Sequence, residues 1–413
     1  MKSVVLVGGG VATTATATGL RNGGFEGEII LVTDETHLPY ERPPLSKEYL
    51  SGEFGQSDFQ INSEDWYTQN NVELVLGTRA DKLDTAARTV QLSDGRSLSY
   101  DALVLGTGAR ARTLEGFGGD RIHVLRNFAD ASRLKGRIIP GLHLVVLGAG
   151  FVGCELASVA AKRGAQVTVF HPGSIPLSRG AVPEVGHSML SIHHENGVKF
   201  RVGETVTSMT QTPTGLELST SDGEKIICDE LLLAVGSVPN TEIASDAGIE
   251  VDGGIITDEY GRTSAAGVYA VEDVAAQFHP KYARRIRIEH HDTAMRQGMN
   301  LARNLLGESV PFSEEHYFWS HQYEHNLQSV GLSEGGQRVM RGSPEGRSFS
   351  VFTVDGGQIK AVVTLNRPQD VLQVRKLLNV EHQVTAEQLA DEGFALKSLL
   401  PQRVRPARSE VKR

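Results

Sequence analysis

At 413 residues, with 39 % hydrophobic and 22 % charged side chains, the chain holds enough apolar material for two or three buried cores. A formal charge of −9 argues against nucleic acid as the main partner, and no apolar run reaches the roughly 18 residues that a membrane-spanning helix needs. The only cysteines, Cys154 and Cys228, are far apart and form no Cys-x-x-Cys pair, which argues against a disulfide framework or a cysteine zinc site and fits a reducing cytoplasm.

The amino terminus runs directly into the apolar stretch Val4-Val5-Leu6-Val7 and a glycine turn, the start of a folded domain rather than of a signal peptide. This strand, glycine turn and helix (residues 4–21) recurs at residues 144–163. Each copy is followed by a second apolar strand, at 28–33 and 166–170, so two β-α-β units are predicted. Two such units imply two dinucleotides. Residues 88–101 and 215–229, with turns at Asp94-Gly95 and Asp222-Gly223, predict a hairpin layer inserted into each unit. Each layer leads into an apolar strand and a glycine turn, at 102–108 and 231–236. From Tyr317 the sequence becomes aromatic and β-rich, with strands expected at 349–354 and 358–365 and a helix at 368–379. The fold class is therefore α/β: two Rossmann-type domains, plus an α+β carboxyl-terminal domain over 317–400. Residues 401–413, with five basic residues against one acid, read as a flexible basic tail.

In the first glycine turn, Gly8-Gly9-Gly10 ends a strand and Val11-Ala12 opens a helix, so backbone N–H groups and the helix dipole face an incoming diphosphate. Asp34 and Glu35 close the next strand roughly 20 residues on, where a carboxylate accepts from ribose hydroxyls. The position of the usual third glycine is Thr13, which predicts looser packing of helix on strand.

The stretch Leu38-Pro39-Tyr40-Glu41-Arg42-Pro43-Pro44-Leu45-Ser46-Lys47 is the most distinctive in the chain: paired prolines stiffen a turn from which an Arg and a Lys project. Here the sequence resembles the ferredoxin reductases of bacterial oxygenase systems, of the putidaredoxin-reductase and biphenyl-dioxygenase-reductase type, and also the apoptosis-inducing-factor flavoproteins. The resemblance extends from Lys2 to about Leu400. It implies a glutathione-reductase-like arrangement, with an FAD domain over 1–110 and 237–316 and an NAD(P)H domain over 111–236. It further implies that Arg42, Lys47, Ala80, Arg112 and Asp273 contact FAD, together with Gly8, Gly10, Val11, Ala12, Asp34 and Glu35. Asn240 and residues 263–273 resemble the segment that returns the chain to the flavin. Glu272 departs from that pattern, because the family has Gly before the Asp; a side chain at this close approach is expected to weaken FAD retention or move the loop.

The second turn, Gly148-Ala149-Gly150-Phe151-Val152-Gly153, is a complete G-x-G-x-x-G between a strand and a helix. The resemblance assigns it to NAD(P)H, with Gly236 and Glu289, and predicts an ion pair between Glu155 and Lys47 beside the hydride path. The following strand ends in Phe170-His171-Pro172-Gly173, with Arg179 beyond, and not in the acid that selects NADH; NADPH is therefore admissible as well. No cysteine lies at 38–47, which separates the chain from disulfide reductases and thiol peroxidases and points to one-electron acceptors.

The run Glu289-His290-His291-Asp292 opens a helix, expected from about Arg285, whose N-terminus would face the flavin, with both histidines at FAD. Adjacent residues point to different sides of a helix, so no metal site is expected there. Phe318-Trp319-Ser320-His321 resembles the family's aromatic-Trp-Ser-Asp segment, with Trp319 at the flavin edge and His321 in place of Asp. The resemblance thus implies hydride transfer from NADH or NADPH to FAD, with Lys47 and Glu155 as the catalytic pair. Single electrons then pass to a two-iron ferredoxin serving a cytochrome or Rieske-type oxygenase. A monomer or weak homodimer is expected, with Arg284, Arg285, Arg287 and Arg367 as candidate docking charges. The alternatives are an apoptosis-inducing-factor-like NADH-binding flavoprotein with slow turnover and redox-controlled association, and an oxidase making peroxide or water.

Overall fold

The computed structural model describes residues 1–401; the basic tail lies outside the described residues except for Pro401. Two parallel five-stranded sheets form the frame. In the first, Ser3–Val7 lies between Glu28–Val32 and Ala102–Leu105, with Val72–Val75 and Val268–Ala270 at the edges. In the second, His143–Leu147 lies between Gln166–His171 and Glu230–Leu233, flanked by Lys199–Val202 and Ile122–His123. The central strands are apolar on both faces because helices cover one face and an antiparallel layer covers the other, and Val4, Val5, Leu6, Leu144, Val145 and Val146 are all fully buried.

Each sheet carries the expected hairpin, extended to a three-stranded antiparallel layer by a strand that precedes the predicted bounds. One consists of Ala80–Asp84, Thr89–Leu92 and Ser97–Ser99, and the other of Val206–Gln211, Leu216–Thr220 and Lys225–Cys228. The chain crosses between the two sheets twice, and the crossings pair with each other: Ala109–Ala111 runs antiparallel to Ser237–Pro239. Thr107 and Asn240 lock this strap by exchanging bonds, Thr107 Oγ1 to the Asn240 carbonyl at 2.7 Å and Asn240 Nδ2 to the Thr107 carbonyl at 2.8 Å.

The carboxyl-terminal part is an antiparallel sheet ordered Tyr317–Gln322, His325–Gly331, Gln358–Leu365, Ser348–Asp355, Gln337–Ser343, with the helix Pro368–Leu377 packed on it. His193, fully buried on the helix Pro183–Glu195, ties it to the second sheet through Tyr323 Oη and Gln322 Oε1, both at 2.9 Å. Near residue 285 the expectation needs correction. Arg284–Ile286 is a strand paired with Ala275–His279, and the helix begins only at His291 and runs to Leu305. The alternation of arginine with isoleucine fits a strand, whereas the apolar stripe of the helix starts later.

Candidate active site

Both glycine turns lie at the carboxyl ends of central strands, where strand order reverses and open α/β sheets bind their ligands. Gly8 has φ of +119° and Gly148 +105°; a Cβ on Gly8 would lie 1.9 Å from the Gly106 carbonyl oxygen, and one on Gly148 2.2 Å from that of Ala234. Only glycine fits either turn. The helices Val11–Asn22 and Phe151–Lys162 start at Gly10 and Gly150, with no side-chain cap on either N-terminus, so their first N–H groups remain available to a diphosphate.

Thr13 does not loosen the first turn. It is fully buried, and its hydroxyl donates to the Gly8 carbonyl at 2.6 Å. Its methyl group fits because the facing residue is Gly106: a Cβ there would lie 2.5 Å from Thr13 Cγ2. In the second turn the sizes are exchanged: a Cβ on Gly153 would lie 3.2 Å from the Ala234 Cβ.

Around the first crevice, Glu35 accepts from Arg42 Nη2 at 3.0 Å and from Tyr40 Oη, while Asp34 is exposed. Residues 77 and 78 pair with the Glu35 and Thr33 carbonyls, which brings the strand containing Ala80 alongside that end of the crevice. Asp273 is buried and pairs at 2.6 Å with Arg126, a residue that sequence reasoning missed. Its only sequence signal is a basic residue just before the capping box of the helix Phe128–Arg137. Arg112, by contrast, is exposed at the strap, where its Nη2 is 3.4 Å from the Ser237 carbonyl.

The two crevices meet at Glu155. This buried carboxylate accepts from Lys47 Nζ at 2.7 Å, from Ser46 Oγ, and from Ser320 Oγ at 2.7 Å. The expected ion pair is present, with two serine donors that the sequence did not reveal. Lys47 also donates to the Pro43 carbonyl at 3.2 Å from the 3-10 turn Pro43–Ser46. An aromatic stack closes the junction: Phe151 lies 4.8 Å from Phe318, which lies 4.7 Å from His290, centroid to centroid. Trp319 packs edge-on against His291 at 5.6 Å and stacks on Tyr317 at 5.9 Å. Burial pushes both His290 and His291 below the ordinary imidazole range, so they are neutral near pH 7. The Glu289-His290-His291-Asp292 run splits among unrelated partners: Glu289 takes the Ser237 hydroxyl at 2.6 Å, and Asp292 takes Arg296 at 2.7 Å. His321 is exposed.

At the second crevice His171 ends its strand half-buried, lowered by burial, with Arg179 exposed nearby and Val152 exposed at the helix start. Both cysteines are free and buried; burial raises the Cys154 thiol far above its usual range and Cys228 to about 12. Among the described residues no helix is long and apolar enough to cross a membrane. Three of the four candidate docking arginines are engaged internally: Arg284 by Glu334, Arg287 by Glu289, and Arg367 by Asp370 and Glu392.

Residues 2–298 match the family model described as pyridine nucleotide-disulphide oxidoreductase, and residues 317–400 match one described as reductase C-terminal. The chain belongs to the pyridine nucleotide-disulphide oxidoreductase family. Within the family it is 37 % identical to putidaredoxin reductase of Pseudomonas putida, covering 96 % of both chains. It is 36 % identical to rhodocoxin reductase of Rhodococcus erythropolis, covering 96 % of this chain and 93 % of that one. Identity is also 36 % to the ferredoxin–NAD(+) reductase component of the anthranilate 1,2-dioxygenase system of Burkholderia cepacia, over 96 % and 98 %. The solved structure of the covalent putidaredoxin reductase–putidaredoxin complex superimposes with a TM-score of 0.92 at 36 % identity, covering 96 % of this chain and 98 % of that chain. The ferredoxin reductase for the CYP199A2 system of Rhodopseudomonas palustris superimposes at 0.93 with 33 % identity, over 96 % and 99 %.

The residues present fit two dinucleotides. In the first crevice a side-chain-free glycine turn, uncapped N–H groups and the guanidiniums of Arg42 and Arg126 suit the diphosphate of FAD. The second offers the same glycine turn and an uncapped helix N-terminus, which suit the diphosphate of a second dinucleotide. One side chain, Glu272, stands in the first cradle.

Proposed function

We propose that this chain is an FAD-dependent NAD(P)H:ferredoxin reductase that takes hydride from the nicotinamide coenzyme and feeds single electrons to a two-iron ferredoxin serving an oxygenase. The observation that carries this reading is near end-to-end similarity, at 36–37 % identity, to three reductases of that kind, across both nucleotide-binding parts and the carboxyl-terminal part. The domains follow the strap: 1–110 with 237–316 for FAD, 111–236 for the coenzyme, and 317–400 closing the junction. Bound FAD supplies the step from two-electron to one-electron chemistry.

The chain's own residues position and shield that chemistry. Lys47, held by Glu155 and the Pro43 carbonyl, keeps a positive charge at the junction, where it favours negative charge acquired on reduction. Glu155 and its serines fix the ammonium in place, so little reorganisation accompanies the transfer. The Phe151–Phe318–His290 stack keeps water out of the meeting point of the two crevices. Trp319 and His291, both half-buried, pack edge-on beside this cluster, on the side we assign to the acceptor. No thiol takes part, because both are buried and protonated.

Coenzyme choice turns on His171, which stands where an acid would select NADH, so NADPH is admissible beside NADH. We also propose a cytoplasmic protein that works as a monomer or weak homodimer. Partition of electrons between acceptors tests the function. With NADH or NADPH and a two-iron ferredoxin, the ferredoxin is reduced, and omitting it leaves oxygen consumption slow. Rapid oxygen uptake without any acceptor would make the chain an oxidase instead.

A further inference from the structure

Glu272 opposes its position with both backbone and side chain. Its φ is +64°, in the left-handed region, within the 3-10 turn Glu272–Val274. It is buried at 8 % exposure, and its N–H donates to Gln297 Oε1 at 2.8 Å, on the helix His291–Leu305. From there the carboxylate reaches across the crevice: a Cβ on Gly10 would lie 3.4 Å from Glu272 Oε1, and one on Gly108 3.2 Å. Gly10 caps the helix whose free N–H groups suit a diphosphate. A carboxylate therefore stands where the cofactor's most negative group has to come.

The groups facing it come from every side of the crevice. Asp273, in the same turn, adds a second carboxylate; Arg126, before the helix Phe128–Arg137, and Arg42, before the turn Pro43–Ser46, oppose both. His290 and Arg287 stand by Asp273, the latter 3.3 Å from its carbonyl oxygen. Gln297, Gly10 and Gly108 bring no charge. Burial first, and then the Asp273 carboxylate, push the Glu272 carboxyl up to about 7 against the two arginines.

We propose that Glu272 makes FAD retention proton-linked: the carboxyl takes up a proton when the diphosphate settles between Gly10 and Gly108, so the protein holds FAD less tightly as pH rises. The inference rests on the reading of this crevice as the FAD site. The diphosphate's negative charge raises the carboxyl's affinity for its proton in the loaded protein relative to the empty one. Affinity for FAD is therefore greatest and constant below the titration of the empty form, and falls at up to about tenfold per pH unit above it. It levels off once the loaded form has titrated as well.

The test is FAD release from diluted holoenzyme, followed by recovery of free-flavin fluorescence at equilibrium between about pH 6 and pH 9, where the linked proton moves. Wild type is compared with Glu272→Gln, which keeps the bulk and removes the charge, and with Glu272→Gly, which removes both. Wild-type dissociation constants should rise about tenfold or more across the range, while both variants stay flat and Glu272→Gly binds tightest. A wild-type profile as flat as that of Glu272→Gln, or the same slope in all three, overturns the proposal while leaving FAD as the cofactor. Protein that neither carries nor binds FAD at any pH overturns the cofactor reading and the proposal with it.

Discussion

The fingerprint of a dinucleotide turn is usually read along one stretch of chain, and here it closes across two. Thr13 occupies the third glycine position without harm because Gly106, far along the sequence, has given up its Cβ; in the second turn Gly153 faces Ala234 with the sizes reversed. Gly106→Ala should therefore cost about 1–3 kcal/mol through the clash with Thr13 Cγ2. The double change Thr13→Gly with Gly106→Ala, which reproduces the second turn, should recover most of it, with a coupling of about 1 kcal/mol or more between the two positions. Denaturant midpoints of the four proteins in this cycle measure the coupling, and additive effects would show that the two sites do not pack as a unit. The expectation of looser packing at Thr13 came from reading one turn alone; its compensating residue announces itself only when strands at opposite ends of the unit are laid side by side. The Glu272 departure, by contrast, is visible in the sequence as a missing glycine, and the structure adds the direction of its carboxylate.

At the scale of elements, the repeated strand–turn–helix pattern was plain because apolar runs, glycines and β-turn dipeptides are local signals. Both units, both predicted hairpins and the two expected carboxyl-terminal strands appear within a few residues of their bounds, whereas the third strand of each layer, Ala80–Asp84 and Val206–Gln211, was not foreseen. What was not legible is what three elements do together. Glu155 comes from the helix Phe151–Lys162, Ser46 and Lys47 from the turn at Pro43–Ser46 and its end, and Ser320 from the strand Tyr317–Gln322. No spacing rule links these positions; only the resemblance suggested the Lys47 partner, and nothing suggested the serines. Removing one side of a buried pair leaves an uncompensated charge. Lys47→Met should thus lower stability by about 3 kcal/mol and slow reduction by the coenzyme, whereas Lys47→Met with Glu155→Gln should regain stability without regaining rate. Parallel unfolding midpoints and reduction rates separate the two effects, and a stable but slow single variant would mean that Glu155 is satisfied by its serines alone.

For the molecule as a whole, two nucleotide crevices open toward each other, and the carboxyl-terminal sheet covers the junction through Phe318, Trp319 and Ser320. The arrangement holds the buried Lys47–Glu155 pair beside a half-buried aromatic cluster, which suits an electron carrier between a two-electron donor and a one-electron acceptor. Anaerobic stopped-flow spectroscopy of the FAD-loaded protein, mixed first with NADH or NADPH and then with a two-iron ferredoxin, tests this most directly. Rapid bleaching of the flavin followed by rapid ferredoxin reduction is expected. A persistent long-wavelength charge-transfer band, with only sluggish reoxidation by ferredoxin, would contradict it.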